Sequence, residues 1–144
     1  MDDKPLKRPL EVEIALTVKT YDIDFAGIVS NIVYIRWLED LRLEILARHS
    51  PLEQQLKDGI APVLLKTTID YKQSIRFGDT AMGRMWAESM GSLRWIVRAE
   101  IIANGQLAAQ SKQVGIYVDL QTGKPIRLPA QLRQQYEQFR EQLC

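Results

Sequence analysis

The sequence is poor in the residues that most often carry metal and nucleophilic chemistry. Its 144 residues include one cysteine, Cys144, and one histidine, His49. A single cysteine excludes an internal disulfide, and two such residues cannot form the Cys/His clusters that hold zinc. Cys144 is the last residue of the sequence, and because chain ends are mobile we expect it to be a poor nucleophile.

An excess of charge and a long apolar run are also missing. Nineteen basic residues oppose eighteen acidic ones, for a net charge of +1. This balance argues against nucleic acid or an anionic membrane surface as a partner. No apolar run could cross a bilayer, and the opening MDDKPLKRPLEV lacks the apolar stretch of a signal peptide. We therefore expect a cytoplasmic protein that does not bind membranes.

Several binding and catalytic motifs are absent. There is no Gly-x-Ser-x-Gly elbow for a nucleophilic serine, no Gly-x-Gly-x-x-Gly for a dinucleotide and no P-loop. We predict that the protein needs no cofactor and no metal.

Alternating apolar residues predict five strands. In residues 11–18, Val12, Ile14, Leu16 and Val18 share one face, which is typical of a half-buried strand. Three similar segments lie at 62–75, 92–103 and 106–118, and a less regular one lies at about 79–90. We expect one face of residues 62–75 to carry Val63, Leu65, Ile69, Tyr71 and Ile75, one face of 92–103 to carry Leu93, Trp95, Val97, Ala99 and Ile101, and one face of 106–118 to carry Val114, Ile116 and Val118. Asn104-Gly105 joins the last two segments and is a strong hairpin signal.

Two segments have a helical pattern. From Gly27 to about Arg48 apolar residues occur almost all round the predicted helix, which favours an enclosed position. His49, Ser50 and Pro51 end it. Residues 129–143 predict a short polar helix with Pro129 in its first turn.

This order of elements predicts one domain over residues 1–144. The expected α+β fold is a long antiparallel five-stranded sheet curled around one central helix, followed by a short C-terminal helix. Pairing across a two-fold axis would hide an edge of such a sheet.

Residues 21–42, YDIDFAGIVSNIVYIRWLEDLR, place Asp22 and Asp24 just before the central helix. Either aspartate could be a simple N-cap. A carboxylate at this place could also act in catalysis, because the first turn of a helix offers unpaired N–H groups and a positive dipole.

The same stretch resembles the hotdog-fold thioesterases of the 4-hydroxybenzoyl-CoA thioesterase type. The resemblance rests on Asp24-Phe25-Ala26-Gly27-Ile28-Val29, followed by Tyr34, Arg36, Trp37 and Glu39. Weaker matches are Tyr71, Phe77-Gly78-Asp79, Asp119, Thr122-Gly123 and Pro129. Phe25 replaces the proline of several relatives, and Ser30-Asn31 replaces a bulkier or His/Asn-rich pair, which leaves the acyl group open.

The resemblance implies hydrolysis of an acyl thioester of coenzyme A or of an acyl-carrier protein. Asp24 would be the catalytic carboxylate, as nucleophile or general base, and the backbone amide of Asn31 would polarise the carbonyl. Gly27 would let the backbone approach the ligand closely, and we expect the amides of about residues 28–31 to be unpaired. Ser30 and Ser92 are candidates for lining the substrate. The expected assembly is a homodimer or homotetramer.

Other interpretations remain for single residues. Asp22 is interpreted as structural. Glu39 is a candidate acid, but a pair with Arg36 or Arg42 is favoured. His49 lies at the helix end, too far from Asp24 for the histidine–acid chemistry of a hotdog dehydratase. Phosphates of coenzyme A could meet cations on the sheet rim, for which the candidates are Lys66, Lys72, Arg76, Arg84, Arg94, Arg98 and Lys112. The alternative for the whole protein is a non-catalytic acyl-CoA-binding hotdog protein.

Overall fold

A single antiparallel sheet forms most of the fold. The computed structural model describes residues 8–143; Cys144 lies outside them. The strands are β1 (Val12–Leu16), β2 (Ile60–Tyr71), β3 (Ala81–Met90), β4 (Arg94–Ala103), β5 (Gln106–Asp119) and the short β6 (Pro125–Ile126). The five long strands lie in the order β1-β3-β4-β5-β2, and β6 pairs with β5. This confirms the predicted sheet and leaves β1 and β2 at its edges.

Helix α1 (Asn31–His49) lies against the sheet and supplies the centre of the core. Its buried residues are Val33, Tyr34, Trp37, Leu38, Leu41 and Ile45. The helix begins four residues later than the predicted start at Gly27, because residues 24–27 form a hydrogen-bonded turn instead. Gly27 has φ +77° there, a left-handed conformation that a helix cannot contain.

Three smaller elements complete the chain. The C-terminal helix α3 (Ala130–Leu143) confirms the prediction and packs on β3 and α1. A 3-10 turn (Thr20–Asp22) and helix α2 (Leu52–Lys57) were not predicted. Helix α2 is only six residues long, too short for apolar periodicity to identify.

A bulge in β2 makes the predicted face of that strand wrong. Leu64 pairs with Gly115 and Lys66 with Val114, so the register shifts by one residue at Leu65. Residues directly opposite each other share a face, and Thr67, Ile69 and Tyr71 therefore lie on the same side as Leu64, not Leu65. A strict two-residue period cannot anticipate the extra residue.

The faces of β4 and β5 follow the predicted alternation with two differences. Trp95, Val97, Ala99 and Ile101 are buried as expected, but Leu93 precedes β4 and is 50% exposed. On β5, Val114, Ile116 and Val118 do share a face, yet the fully buried face carries Gln113, Gly115 and Tyr117. None of the helices within residues 8–143 combines the length and apolar character needed to cross a membrane.

Candidate active site

Asp24 lies in an exposed turn directly before α1, and its two carboxylate oxygens differ. Oδ1 accepts hydrogen bonds from the backbone N–H of Ala26, at 2.8 Å, and of Ile28, at 3.2 Å. Oδ2 has no hydrogen-bond partner within residues 8–143. The backbone closes the same turn, since Gly27 N–H donates to the Asp24 carbonyl at 3.0 Å and Asp24 N–H to the Ile28 carbonyl at 2.9 Å. One oxygen therefore fixes the turn and the other is free to meet a ligand.

Asp22 is buried and has the structural position expected of it. Its Oδ2 accepts from the Lys19 N–H at 2.9 Å, which caps the 3-10 turn. Its carbonyl accepts from the Ser30 N–H, also at 2.9 Å. Asp22 therefore ties the 3-10 turn to the residue that precedes α1.

The prediction of unpaired amides over residues 28–31 is wrong for three of the four. Ile28 N–H donates to Asp24, Val29 N–H to the Ile75 carbonyl at 2.8 Å, and Ser30 N–H to Asp22. The reason is that residues 28–30 precede the helix and pair with neighbouring segments, including a bridge between Ile28 and Arg76. Asn31 begins α1, and its N–H forms no hydrogen bond with any part of the chain that the structure describes.

The segment after β2 forms backbone hydrogen bonds with the Asp24 turn and the residues that follow it. Besides the bond from Val29 to fully buried Ile75, Phe77 N–H donates to the Gly27 carbonyl at 3.3 Å. Phe77 is 54% exposed and Phe25 fully exposed, so both aromatic side chains face outward from the single chain. A β-carbon built on Gly27 would meet nothing within 4 Å. Its positive φ explains the glycine, and close approach of a ligand there stays a prediction.

A cleft of about 160 Å³ opens where α1 begins. Its walls include Ile28, Asn31, Tyr34, Tyr71, Lys72 and Ser74. Tyr34 and Tyr71 meet edge to face, with ring centroids 5.1 Å apart. Burial raises the pKa of the Tyr34 hydroxyl, as does the neighbouring Tyr71. The sequence identifies Tyr34 and Tyr71 only as parts of the motif. It does not predict their contact, because one residue lies on a helix and the other on a strand.

Ser30 and Ser92 occupy different parts of the chain. Ser30 is the N-cap of α1, but its side chain makes no capping bond. Ser92 lies in the turn between β3 and β4, where its carbonyl accepts from the Leu128 N–H at 3.0 Å. The ten residues of β3, about 33 Å of strand, separate this turn from the end of the sheet where β3 begins. Within a single chain, Ser92 therefore does not reach the cleft at Asn31.

The favoured pairs of Glu39 are not formed. No ion pair within residues 8–143 joins Glu39 to Arg36 or Arg42. Arg42 instead points toward the sheet and donates to Gln113 Oε1 at 2.7 Å. His49 ends α1 as predicted, and its ring hydrogen-bonds to Gln135 of α3.

Carboxylates already neutralise three of the seven candidate cations. Arg84 pairs with Glu13, while Arg98 and Lys112 both pair with Glu88. Among the seven, Lys72 lines the cleft beside Asn31, and Arg76 adjoins the Asp24 turn through its bridge to Ile28. No group of three His, Cys, Asp or Glu side chains that could hold a metal ion occurs in the described residues.

Known proteins with similar sequences include thioesterases. Over 132 residues the chain is 24% identical to the long-chain acyl-CoA thioesterase FadM of Escherichia coli (strain K12), covering 89% of this chain and 98% of FadM. Over 133 residues it is 23% identical to the chloroplastic acyl-acyl carrier protein thioesterase ATL3 of Arabidopsis thaliana, covering 90% of this chain and 70% of ATL3.

The fold has close counterparts among solved structures. One is a thioesterase from Thermus thermophilus complexed with coenzyme A and Zn, with a TM-score of 0.77, 23% identity, and coverage of 90% of this chain and 93% of that one. The likeness confirms the hotdog fold. Residues 18–136 match the family described as the thioesterase-like superfamily. The chain therefore belongs to the thioesterase-like superfamily.

Proposed function

We propose that this protein hydrolyses acyl-CoA thioesters with Asp24 as the catalytic carboxylate and the Asn31 amide as the donor to the thioester carbonyl. Membership of the superfamily and the similar acyl-CoA thioesterases support a thioester hydrolase. The assignment to Asp24 is supported by the one carboxylate oxygen that has no hydrogen-bond partner. It is also supported by the unpaired N–H of Asn31, the first residue of the helix that follows. Asn31 lies in the first turn of α1, where the positive end of the helix dipole favours an anion.

The chemistry requires an oxygen nucleophile and stabilisation of the oxyanion. Free Oδ2 of Asp24 could attack the carbonyl carbon, expelling the thiolate and leaving an anhydride that water then opens. It could instead remove a proton from a water that attacks in its place. In both routes negative charge develops on the carbonyl oxygen, and the Asn31 N–H would donate to it. A donor of this kind contributes about 10²–10³ in kcat in other enzymes.

The alternative, a non-catalytic acyl-CoA-binding protein, also has a specific observation in its favour. The two bonds that Asp24 Oδ1 accepts from Ala26 and Ile28 are enough to explain an aspartate in this turn. A structural aspartate would need no reactivity.

Assembly into a homodimer is part of the proposal. Strand β2 is an edge of the sheet, is twelve residues long, and exposes Val63, Leu64 and Leu65. Such an edge readily pairs with another strand. A second copy could pair along it and so extend the sheet, and two such dimers could form a tetramer.

The deciding experiment is thiol release, followed with a thiol reagent, from a panel of substrates. The panel contains aromatic and aliphatic acyl-CoAs and one acyl-carrier-protein thioester. We expect turnover of at least one acyl-CoA. Turnover of the carrier-protein thioester alone would reassign the carrier, and well-folded protein that binds acyl-CoA without releasing thiol would support the binding protein instead.

A further inference from the structure

A second cleft lies between the C-terminal half of α1, α2 and β2. Its volume is about 260 Å³. We call it the leucine cleft, because its walls include Leu43, Leu46, Leu52, Leu56, Leu64 and Trp95. Leu43, Leu56 and Leu64 are 41%, 48% and 38% exposed in the single chain, so apolar walls of the cleft lie at its surface. Large exposed apolar side chains gathered in one concave place are typical of a ligand site.

Arg42 is a positively charged residue in the wall of the otherwise largely apolar leucine cleft. Its side chain lines the leucine cleft and also an adjoining apolar cavity of about 50 Å³. Arg42 follows Asn31 by eleven residues of α1, which is about 16 Å. Burial lowers the pKa of the guanidinium, although the nearby charge of Glu39 opposes this effect. Burying a cation is costly unless an anion or several hydrogen bonds compensate it.

The compensation that the chain itself provides is small. Arg42 Nη1 donates to Gln113 Oε1 at 2.7 Å, and Gln113 is held in turn by its bond to Thr67 Oγ1 at 3.1 Å. A guanidinium has five N–H donors, and this is the one bond that Arg42 forms within residues 8–143. Glu39 lines the same cleft but is not within ion-pair distance of Arg42. The buried amide of Gln113 thus orients the guanidinium and leaves most of its donors unused.

We propose that the leucine cleft binds a carboxylate with an apolar body and that Arg42 is its anion-binding group. The leucines and Trp95 would contact the apolar body, and the remaining guanidinium donors would bind the two carboxylate oxygens. A guanidinium matches a carboxylate with two parallel hydrogen bonds, which a neutral amide cannot accept in the same way. The ligand could be a free acid or the carboxylate at the far end of an acyl group.

Calorimetric titration tests the site without any turnover. The probes are octanoate and octanamide, which have the same chain length but differ in charge. We expect octanoate to bind the wild-type protein about tenfold more tightly than octanamide, as the strength of charge-assisted hydrogen bonds suggests. Arg42→Met should lose this preference, while Arg36→Met, which changes an exposed arginine outside the cleft, should keep it.

A second variant keeps the test decisive if Arg42→Met does not fold. Gln113→Glu replaces the amide that touches Arg42 with a carboxylate of the same shape, and an internal ion pair should then compete with octanoate and abolish the preference. Three results would each overturn the proposal. The wild-type protein could bind the two probes equally, or it could bind neither because a second copy covers the cleft. The preference for octanoate could also survive in Arg42→Met and Gln113→Glu.

The source of the carboxylate needs a kinetic comparison, which rests on the proposed thioesterase activity. The kcat/KM for an acyl-CoA with a terminal carboxylate is divided by that for the acyl-CoA of the same length with a terminal methyl group. A fall of about tenfold in this ratio in Arg42→Met would assign the site to the acyl group, and an unchanged ratio would assign it to a free acid. Octanoate binding by Asp24→Asn protein separates failure of this site from failure of the catalytic proposal.

Discussion

At the scale of single residues, Asp24 uses its two carboxylate oxygens differently. Asp24→Asn keeps an oxygen that can accept the bonds of Ala26 and Ile28, so the turn should survive, but it removes the charge that either chemical route requires. We expect kcat/KM in thiol-release assays to fall by about 10²–10⁴ with little change in the melting temperature.

Glu39→Gln is the matched control for this substitution. Glu39 is an exposed carboxylate on α1 with no ion pair among the described residues, so its neutral analogue should keep nearly full activity. Near-normal kcat in Asp24→Asn would remove Asp24 from the mechanism, and an equal loss in both variants would point to Glu39 as the acid.

Gly27 has a conformational role that can be measured apart from catalysis. At φ +77° an alanine costs about 1–2 kcal/mol, because its β-carbon crowds the following carbonyl. We expect Gly27→Ala to lower the free energy of unfolding in urea by this amount. Gly91 has no positive φ, and a β-carbon there would lie 3.5 Å from the Arg94 carbonyl, so Gly91→Ala should change stability little. Equal losses in the two variants would show that φ at Gly27 is not the cause.

At the scale of elements, strands with one buried face could be predicted from the sequence and short or irregular elements could not. Alternation located β1 and β4 because each has one buried face. The predicted start of α1 is wrong because Ile28 and Val29 are apolar for a different reason, as they pair with Arg76 and Ile75 after β2. The bulge at Leu65 has no periodic signal. For the site, local spacing placed Asp24 at the helix entrance, but the orientation of Arg42 toward Gln113 depends on tertiary packing.

Helix α2 is joined to the sheet by a buried hydrogen bond to Tyr117, and the burial of this tyrosine should make stability sensitive to pH. Gln55 Nε2 donates to the Tyr117 hydroxyl at 2.9 Å, and burial raises the pKa of Tyr117 to about 12. The unfolded chain ionises this tyrosine near its ordinary pKa of about 10. Between these values the unfolded state binds fewer protons than the folded state, so stability falls as pH rises from about 10 to about 12.

Urea unfolding between pH 9 and 11.5 measures this effect. We expect the wild-type protein to lose stability across the range by about 1–2 kcal/mol more than Tyr117→Phe, which cannot ionise at this position. Comparing the two proteins cancels the lysines and the other tyrosines, because both chains carry them. Parallel stability profiles would show that Tyr117 does not contribute to the alkaline loss.

At the scale of the whole molecule, the free edge of β2 is the proposed contact between the two chains of a homodimer. When two copies of a strand pair antiparallel across a two-fold axis, residue i faces residue j and j faces i, so a residue near the middle faces its own copy. Leu65 is the sixth of the twelve residues of β2 and is 52% exposed. Pairing centred on β2 would therefore bring the two copies of Leu65 close together.

Leu65→Glu should separate the dimer, because two like charges would meet where two apolar side chains had been. We expect sedimentation velocity over a dilution series to show dimerisation weakened by at least about tenfold, since burying a leucine contributes about 1.5–3 kcal/mol. Leu120→Glu is the control, because Leu120 is 51% exposed but follows β5. If both variants sediment like the wild-type protein, β2 is not the contact. If Leu65→Glu is a folded monomer with full kcat, each chain carries a complete active site.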